Sequence, residues 1–377
     1  MGNDARTYGQ WWDWTGPYAT VPIADLTTVC RAAYESAGAT SDDAAFLVEG
    51  QLDKTIQGDH ARGIVYLPVT VRAARAGRQD LRAPIDVIRD RGASALVDGG
   101  PRAAGRLVCR AGMRVAIDKA REHGAGVVGA RGGAGLLTQF VTMAVDAGMV
   151  GLVMTQTGPC VAPLGGRAPL LGNGPFAIGI PARNRDPVVL DMSFTSTSAS
   201  GVLLAAEQGL SIPPGLLLDS EGQPTTDPRA FMNVSRTESP TDAHIRGTLT
   251  PLGAGHKGYA MLFVIGLLSS VLSDTSPPWD LAPRATARGT AGTLLLAIDP
   301  LALNPFAPDR VDEFIDTVTA APRRAGADEI LYPGQRSQRL RRERRARGTV
   351  EVPQPQLDAL VELAREIGLE VPPSLRG

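Results

Sequence analysis

The sequence predicts an α/β fold. Helical periodicity alternates with short apolar runs bounded by glycine and proline, a helical stretch opens the chain, and an arginine-rich one closes it. With 377 residues, 43% hydrophobic and 20% charged, the chain can bury more than one packed lobe.

The elements follow in order. Residues 1–20 hold Trp11, Trp12 and Trp14 with Tyr8 and Tyr18, read either as an arm packed on the body or as a flap over a ligand. From Ile23, the spacing of Leu26, Val29, Cys30 and Ala33 predicts a helix that Gly38 stops. Ser41 is placed to cap the next helix. Asp42 and Asp43 sit at the favourable end of its dipole, and Ala45, Val48, Leu52 and Ile56 form its inner face. Gly58 ends it, and the loop GDHARG leads to Pro68 and a third helix. Met113, Ala116, Ile117 and Ala120 mark another helix, and residues 127–130, 150–154, 176–181, 188–192 and 293–299 read as strands. The connections are too glycine-rich for a strict βαβ series. Residues 233–250 are polar and read as a flexible loop. Residues 259–273, the longest apolar run, fall short of the ~20 residues that span a bilayer and read as a buried helix. The tail from Asp309 is helical. Its basic run, 336–347, has only Tyr332 as an aromatic neighbour and reads as a solvated face rather than a nucleic-acid surface.

Composition excludes several function classes. The net charge of −1 gives no global attraction to nucleic acid or an anionic membrane. Cys30, Cys109 and Cys160 form neither a metal pattern nor a disulfide framework, which with the unremarkable N-terminus points to the cytoplasm and to no resident metal. Basic residues are nearly all arginine. Lysine occurs only as Lys54, Lys119 and Lys257, so a lysine here is not background.

Three segments carry candidate chemistry. GARGGAG, residues 129–135, follows an apolar run, but its glycine spacing does not match the G-x-G-x-x-G of a Rossmann phosphate loop. Residues 154–181 join two strands through a loop dense in glycine and proline, which brings Thr155 and Thr157 near a ligand or simply turns the chain. Glycines flank His256 and Lys257 just before the long apolar helix. Its free amides and a lysine suit an anion; the alternative is a glycine-rich turn with a solvated lysine.

These motifs, with LVMTQT, VAPLGGR, VVLDM, DSEGQPTTDP, LLLAIDP and the tail EILYPGQRSQRLRRERRARG, resemble the malate/L-lactate dehydrogenase-like family from about Val21 to the C-terminus. The resemblance implies a mixed-sheet, non-Rossmann NAD(P)-binding domain with a helical domain from both chain ends. That divides the chain into a 1–20 arm, a helical unit of 21–75 plus 305–377, and a cofactor-binding unit of 76–304. It implies NADH or NADPH held at Thr155, Thr157, Asp191, Met192, Ser193, His256 and Lys257, a homodimer, and a small-molecule substrate with no nucleic-acid or membrane partner.

Two loops depart from the family. The first, resembling G-x-D-S-H-G-x-x-R-L-P, reads Gly58-Asp59-His60-Ala61-Arg62-Gly63-Ile64-Val65-Tyr66-Leu67-Pro68, so serine, histidine and arginine become Ala61, Arg62 and Tyr66. The second, resembling R-N-S-N-H-F-G, reads Arg131-Gly132-Gly133-Ala134-Gly135-Leu136 and also lacks histidine. Reducing a ketone needs a proton from a group titrating near neutrality, which histidine supplies and arginine does not. An iminium needs no such acid, and a conjugated C=C can take its proton from tyrosine or water. Tyr66, Arg62 and His60 are therefore the candidate catalytic residues. Tyr66 alternatively packs, and Arg62 alternatively lies on a surface loop. The expected function is a reductase of an imine, iminium or enone larger than malate or lactate, in a roomier pocket. The alternative is a non-redox enzyme of cyclisation or elimination, or a cofactor-binding scaffold.

Overall fold

The computed structural model describes residues 13–232, 245–253, 255–281 and 291–376. Trp11, Trp12 and most of the expected flexible loop lie outside them. The chain opens with β1 (Tyr18–Pro22), α1 (Ile23–Ser36), α2 (Ser41–Ile56) and α3 (Leu67–Arg75). Thr40, not Ser41, caps α2, accepting a hydrogen bond from the Asp43 amide at 3.2 Å.

Next come β2 (Asp86–Arg91), β3 (Ser94–Asp98), α4 (Gly105–His123), β4 (Ala125–Arg131), α5 (Leu137–Asp146), β5 (Val150–Thr155), β6 (Phe176–Ile180) and β7 (Val188–Met192). After α6 (Ala199–Glu207), the short β8 (Leu217–Leu218), β9 (Pro224–Thr225) and β10 (Thr248–Leu249) form a small sheet. Then α7 (His256–Val271) and β11 (Gly292–Ile298) return to the main sheet. The chain ends with α8 (Pro300–Leu303), α9 (Ala307–Thr319), α10 (Gln335–Arg347), β12 (Thr349–Pro353) and α11 (Gln354–Glu366).

The main sheet is mixed and seven-stranded, in the order β2-β3-β4-β11-β5-β6-β7. Only β3 and β4 run parallel; β11 enters antiparallel between β4 and β5. This is not a Rossmann sheet. The hairpin of β2 and β3 and the pairing of β1 with β12 were not anticipated. One apolar core runs from α1, α2 and α11 through α4 and α5 to the sheet, so the helical layer and the sheet share it. A second core surrounds Phe231, Leu217 and Val202 near the small sheet.

The glycines of 129–135 serve close packing rather than phosphate. A Cβ on Gly129 would fall 2.5 Å from the Leu272 carbonyl oxygen, and one on Gly105 would fall 2.6 Å from the backbone of Gly133. The second loop has closed onto the start of α4, with Ala134 fully buried. On that side the structure replaces the expected roomier pocket with backbone packing.

The apolar run at 259–273 differs from expectation. In α7, Leu262 and Ile265 are buried, but Met261, Phe263, Val264, Leu267 and Val271 are 41–65% exposed. A helix apolar on every face buries only the side that meets β5 and β11. The basic tail helix α10 has no buried residues, as expected. It is not merely solvated: Arg341 Nε lies 2.8 Å from Asp53, and Arg344 donates to the Ile56 carbonyl at 2.7 Å. A cation at the last turn of α2 suits its dipole. It fixes the end of α2, where the first loop begins.

Candidate active site

α2 carries Lys54 inward, and Lys54 meets β7 and α5. Lys54 Nζ lies 2.9 Å from Asp191 Oδ2 and 2.9 Å from Thr138 Oγ1. The Thr138 hydroxyl donates to the same carboxylate oxygen, and the Thr138 amide, at the start of α5, donates at 3.2 Å. The Lys54 and Asp191 side chains are only 10% and 12% exposed. Burial opposes the charge on Asp191, yet the Lys54 ammonium, the Arg62 guanidinium and the Thr138 hydroxyl hold its carboxyl well below the usual range. Asp191 is therefore a fixed carboxylate, not a proton donor at neutral pH.

The first loop arches beside this pair. Gly63 takes φ of 98°, and a Cβ there would fall 2.6 Å from Thr55 Oγ1, so the turn requires glycine. Arg62 Nε lies 2.8 Å from Asp59 Oδ2. Asp59 first, with Asp191 and Tyr66 further off, outweighs burial and keeps Arg62 firmly protonated. The Tyr66 hydroxyl meets Ser200 Oγ of α6 at 2.9 Å. Of the sequence candidates, the structure thus brings Arg62, Tyr66 and Asp191 together. Arg62 is not a plain surface residue, and Tyr66 is anchored by its hydroxyl.

His60 takes another direction. It is buried, its ring centroid lies 5.3 Å from that of Tyr18, and its carbonyl accepts from Gln356 at 2.8 Å. These contacts pack the imidazole beside Tyr18 of β1 and tie the His60 backbone to α11, so the proton-donor role expected of a rebuilt loop is not carried into the proposal below. The described part of the N-terminal arm is packed as well: the Thr15 amide and hydroxyl donate to Gln208 at 2.8 and 3.0 Å, beyond the end of α6.

The residues expected to hold a dinucleotide divide. Gly253 and Gly255 have φ of 69° and 75°, and α7 then starts with His256 and Lys257 exposed. A Cβ on Gly258 would fall 2.5 Å from the backbone of Leu252, so the helix start is pressed onto the preceding chain, and among the described residues no side chain caps its first amides. That arrangement fits a phosphate-bearing ligand. Thr157 hydrogen-bonds Asn173 through both its hydroxyl roles, at 2.8 and 3.1 Å. Next to it in sequence, Gln156 Oε1 is buried with no partner, an acceptor a ligand amide can satisfy. Met192 and Ser193 are partly buried, with Ser193 Oγ 2.9 Å from Thr195 Oγ1. Thr155 does not fit the expectation: its hydroxyl bonds Thr293 Oγ1 at 2.6 Å inside the sheet and is 2% exposed. Thr155 ties β5 to β11 instead. Cys160 is buried, which pushes its thiol up to about 12 and leaves it a packing residue.

Lys54 and Thr138 were missed in the sequence. The scarcity of lysine pointed to Lys54, but nothing local told that α2 would turn it toward a strand 137 residues later.

A mixed, non-Rossmann sheet under a helical layer, with a buried ion pair between α2 and β7, defines the α/β class of this protein. The chain belongs to the malate/L-lactate dehydrogenase family, whose sequence profile matches residues 21–361. It is 36% identical to the L-sulfolactate dehydrogenase of Methanothermobacter thermautotrophicus, over 85% of this chain and 89% of the relative. Among solved structures it resembles the sulfolactate dehydrogenase of Methanocaldococcus jannaschii, with TM-score 0.77, 27% identity and coverage of 93% and 98%. It also resembles the delta1-piperideine-2-carboxylate reductase of Pseudomonas syringae, with TM-score 0.75, 27% identity and coverage of 92% and 99%.

Proposed function

We propose that this protein is an NADH- or NADPH-dependent reductase of an imine, iminium or conjugated C=C in specialised biosynthesis, rather than a dehydrogenase of a small hydroxy acid. One observation carries the reading: the cluster pairs a carboxylate held ionised, Asp191, with the cations Lys54 and Arg62 and the Thr138 hydroxyl, and among the described residues it holds no imidazole. A ketone acceptor needs an acid that titrates near neutrality. A preformed iminium does not, and a conjugated C=C can take its proton from tyrosine or water.

His256, Lys257, Thr157, Met192 and Ser193 would hold the dinucleotide, which supplies hydride when bound. The chain's own groups do the rest. Arg62 polarises or holds the acceptor as a permanent cation. Asp191 holds Lys54 Nζ in place through the ion pair. The Tyr66 hydroxyl, oriented by Ser200, is the corresponding donor for a C=C. The reductase among the relatives acts on a cyclic imino carboxylate by name, and that class heads the acceptor panel.

The exposed apolar face of α7 is the surface expected to meet a second copy in a homodimer. Among the described residues no helix is long and apolar enough to cross a membrane.

The test is oxidation of NADH and NADPH with cyclic imino carboxylates and enones, set against pyruvate and oxaloacetate. Consumption with the first group only is expected. Brisk reduction of pyruvate or oxaloacetate sinks the reading, and dinucleotide binding without turnover across the panel favours a scaffold.

A further inference from the structure

Arg106 lies in the first turn of α4, with Nη2 2.6 Å from Gln139 Oε1. Its Nε is buried with no hydrogen-bond partner. Among the described residues no carboxylate pairs with it. The groups that act on it besides burial are the Tyr34 phenol and the Cys109 thiol, both of which burial keeps protonated. Arg110, one turn on in the same helix, shows the ordinary arrangement: it binds Asp42 and Asp43 at 2.8 and 3.0 Å.

The position of Arg106 matters more than its isolation. Its Cδ and Cγ lie 3.6 and 3.7 Å from the place a Cβ on Gly135 would occupy. Gly135 lies in the second loop, which lacks the histidine of the family pattern R-N-S-N-H-F-G. On the other side, Nη2 lies 2.5 Å from the place of a Cβ on Gly50. Two glycines thus leave the room that this side chain occupies. Gln139, its one hydrogen-bond partner among the described residues, adjoins Thr138, which holds Asp191.

We propose that Arg106 is an anion-binding residue of the active site and takes a carboxylate, or an oxyanion of similar size, carried by the acceptor. A desolvated guanidinium without a counter-ion is strongly unfavourable until an anion joins it. Its planar donors suit a carboxylate held by two hydrogen bonds, with Gln139 as neighbour. The substrate class that follows is an anionic imine or enone, gripped from α4 rather than from the first loop. The inference rests on reading the surroundings of Asp191 and Arg62 as the acceptor site, but anion binding can be measured without cofactor or turnover.

The experiment is thermal unfolding of the full chain with malonate as probe, against sodium chloride of equal ionic strength, for wild type, Arg106→Gln and Arg106→Lys. NADPH binding is followed in parallel by fluorescence. Malonate is expected to raise the midpoint of the wild type. Arg106→Gln should unfold no earlier than the wild type without anion, and should lose malonate affinity by about tenfold or more. Arg106→Lys should keep part of it, and remains informative if the glutamine variant folds poorly. Equal malonate shifts in wild type and variants overturn the proposal, as does no shift in the wild type. An Arg106-dependent shift in a protein that binds no dinucleotide upholds the anion site and sinks the reductase reading instead.

Discussion

Replacing Lys54 with methionine keeps most of the side-chain volume and removes the charge that faces Asp191. The pair is nearly enclosed, at 10% and 12% side-chain exposure. Breaking a buried pair from one side typically costs ~3–5 kcal/mol. Asp191 keeps both hydrogen bonds from Thr138 and the attraction of Arg62, so the loss should lie near the lower end, about 3 kcal/mol. The pH dependence identifies the cause. In the wild type the Asp191 carboxyl is depressed, so its stabilisation is present above its unfolded pKa of about 3.9 and is lost as pH falls through the folded value. Without Lys54 that folded pKa rises. The stability gap between the proteins is then largest at neutral pH and shrinks as pH falls through the variant's higher value. Urea unfolding followed by tryptophan fluorescence at about pH 7 and about pH 4.5 measures both gaps. Asp191→Asn should cost a similar amount, and Lys54→Met with Asp191→Leu should recover most of it. A gap below about 1 kcal/mol at neutral pH, or the same gap at both pH values, refutes the reasoning.

Three further outcomes are expected. Lys257→Ala should weaken NADH or NADPH affinity about tenfold, with the difference narrowing in high salt because the lysine is exposed; fluorescence titration at two ionic strengths checks this. His60→Leu should leave kcat/KM on a cyclic imino carboxylate within about twofold, since the ring packs on Tyr18; a hundredfold fall would restore it as the proton donor. Tyr66→Phe should cost about 1 kcal/mol of stability through the lost Ser200 bond, and should slow enone turnover far more than imine turnover.

The fold was largely legible in the sequence, because it rests on local pattern. The periodicity of Leu26, Val29, Cys30 and Ala33 gave α1, and the apolar run at 188–192 is the β7 of the structure. The pairing of β1 with β12 was not legible, since nothing in residues 18–22 names a partner more than 300 residues away. The same distinction divides the site. Arg62 and Tyr66 could be named as candidates because they stand in a readable loop. Lys54, Thr138 and Arg106 were not, because each acts through a contact between elements far apart in sequence. Thr155 shows the converse: a residue in a readable motif whose hydroxyl the sheet has already engaged.

The central claim is that reduction here proceeds beside fixed charges, without an imidazole acid. Its most direct test is the pH dependence of single-turnover hydride transfer, from about pH 6 to about pH 8, with a cyclic imino carboxylate and with oxaloacetate. The expected result is transfer to the imine with no inflection near pH ~6.5, and negligible transfer to oxaloacetate. Fast reduction of oxaloacetate, rising as pH falls through that value, would contradict it.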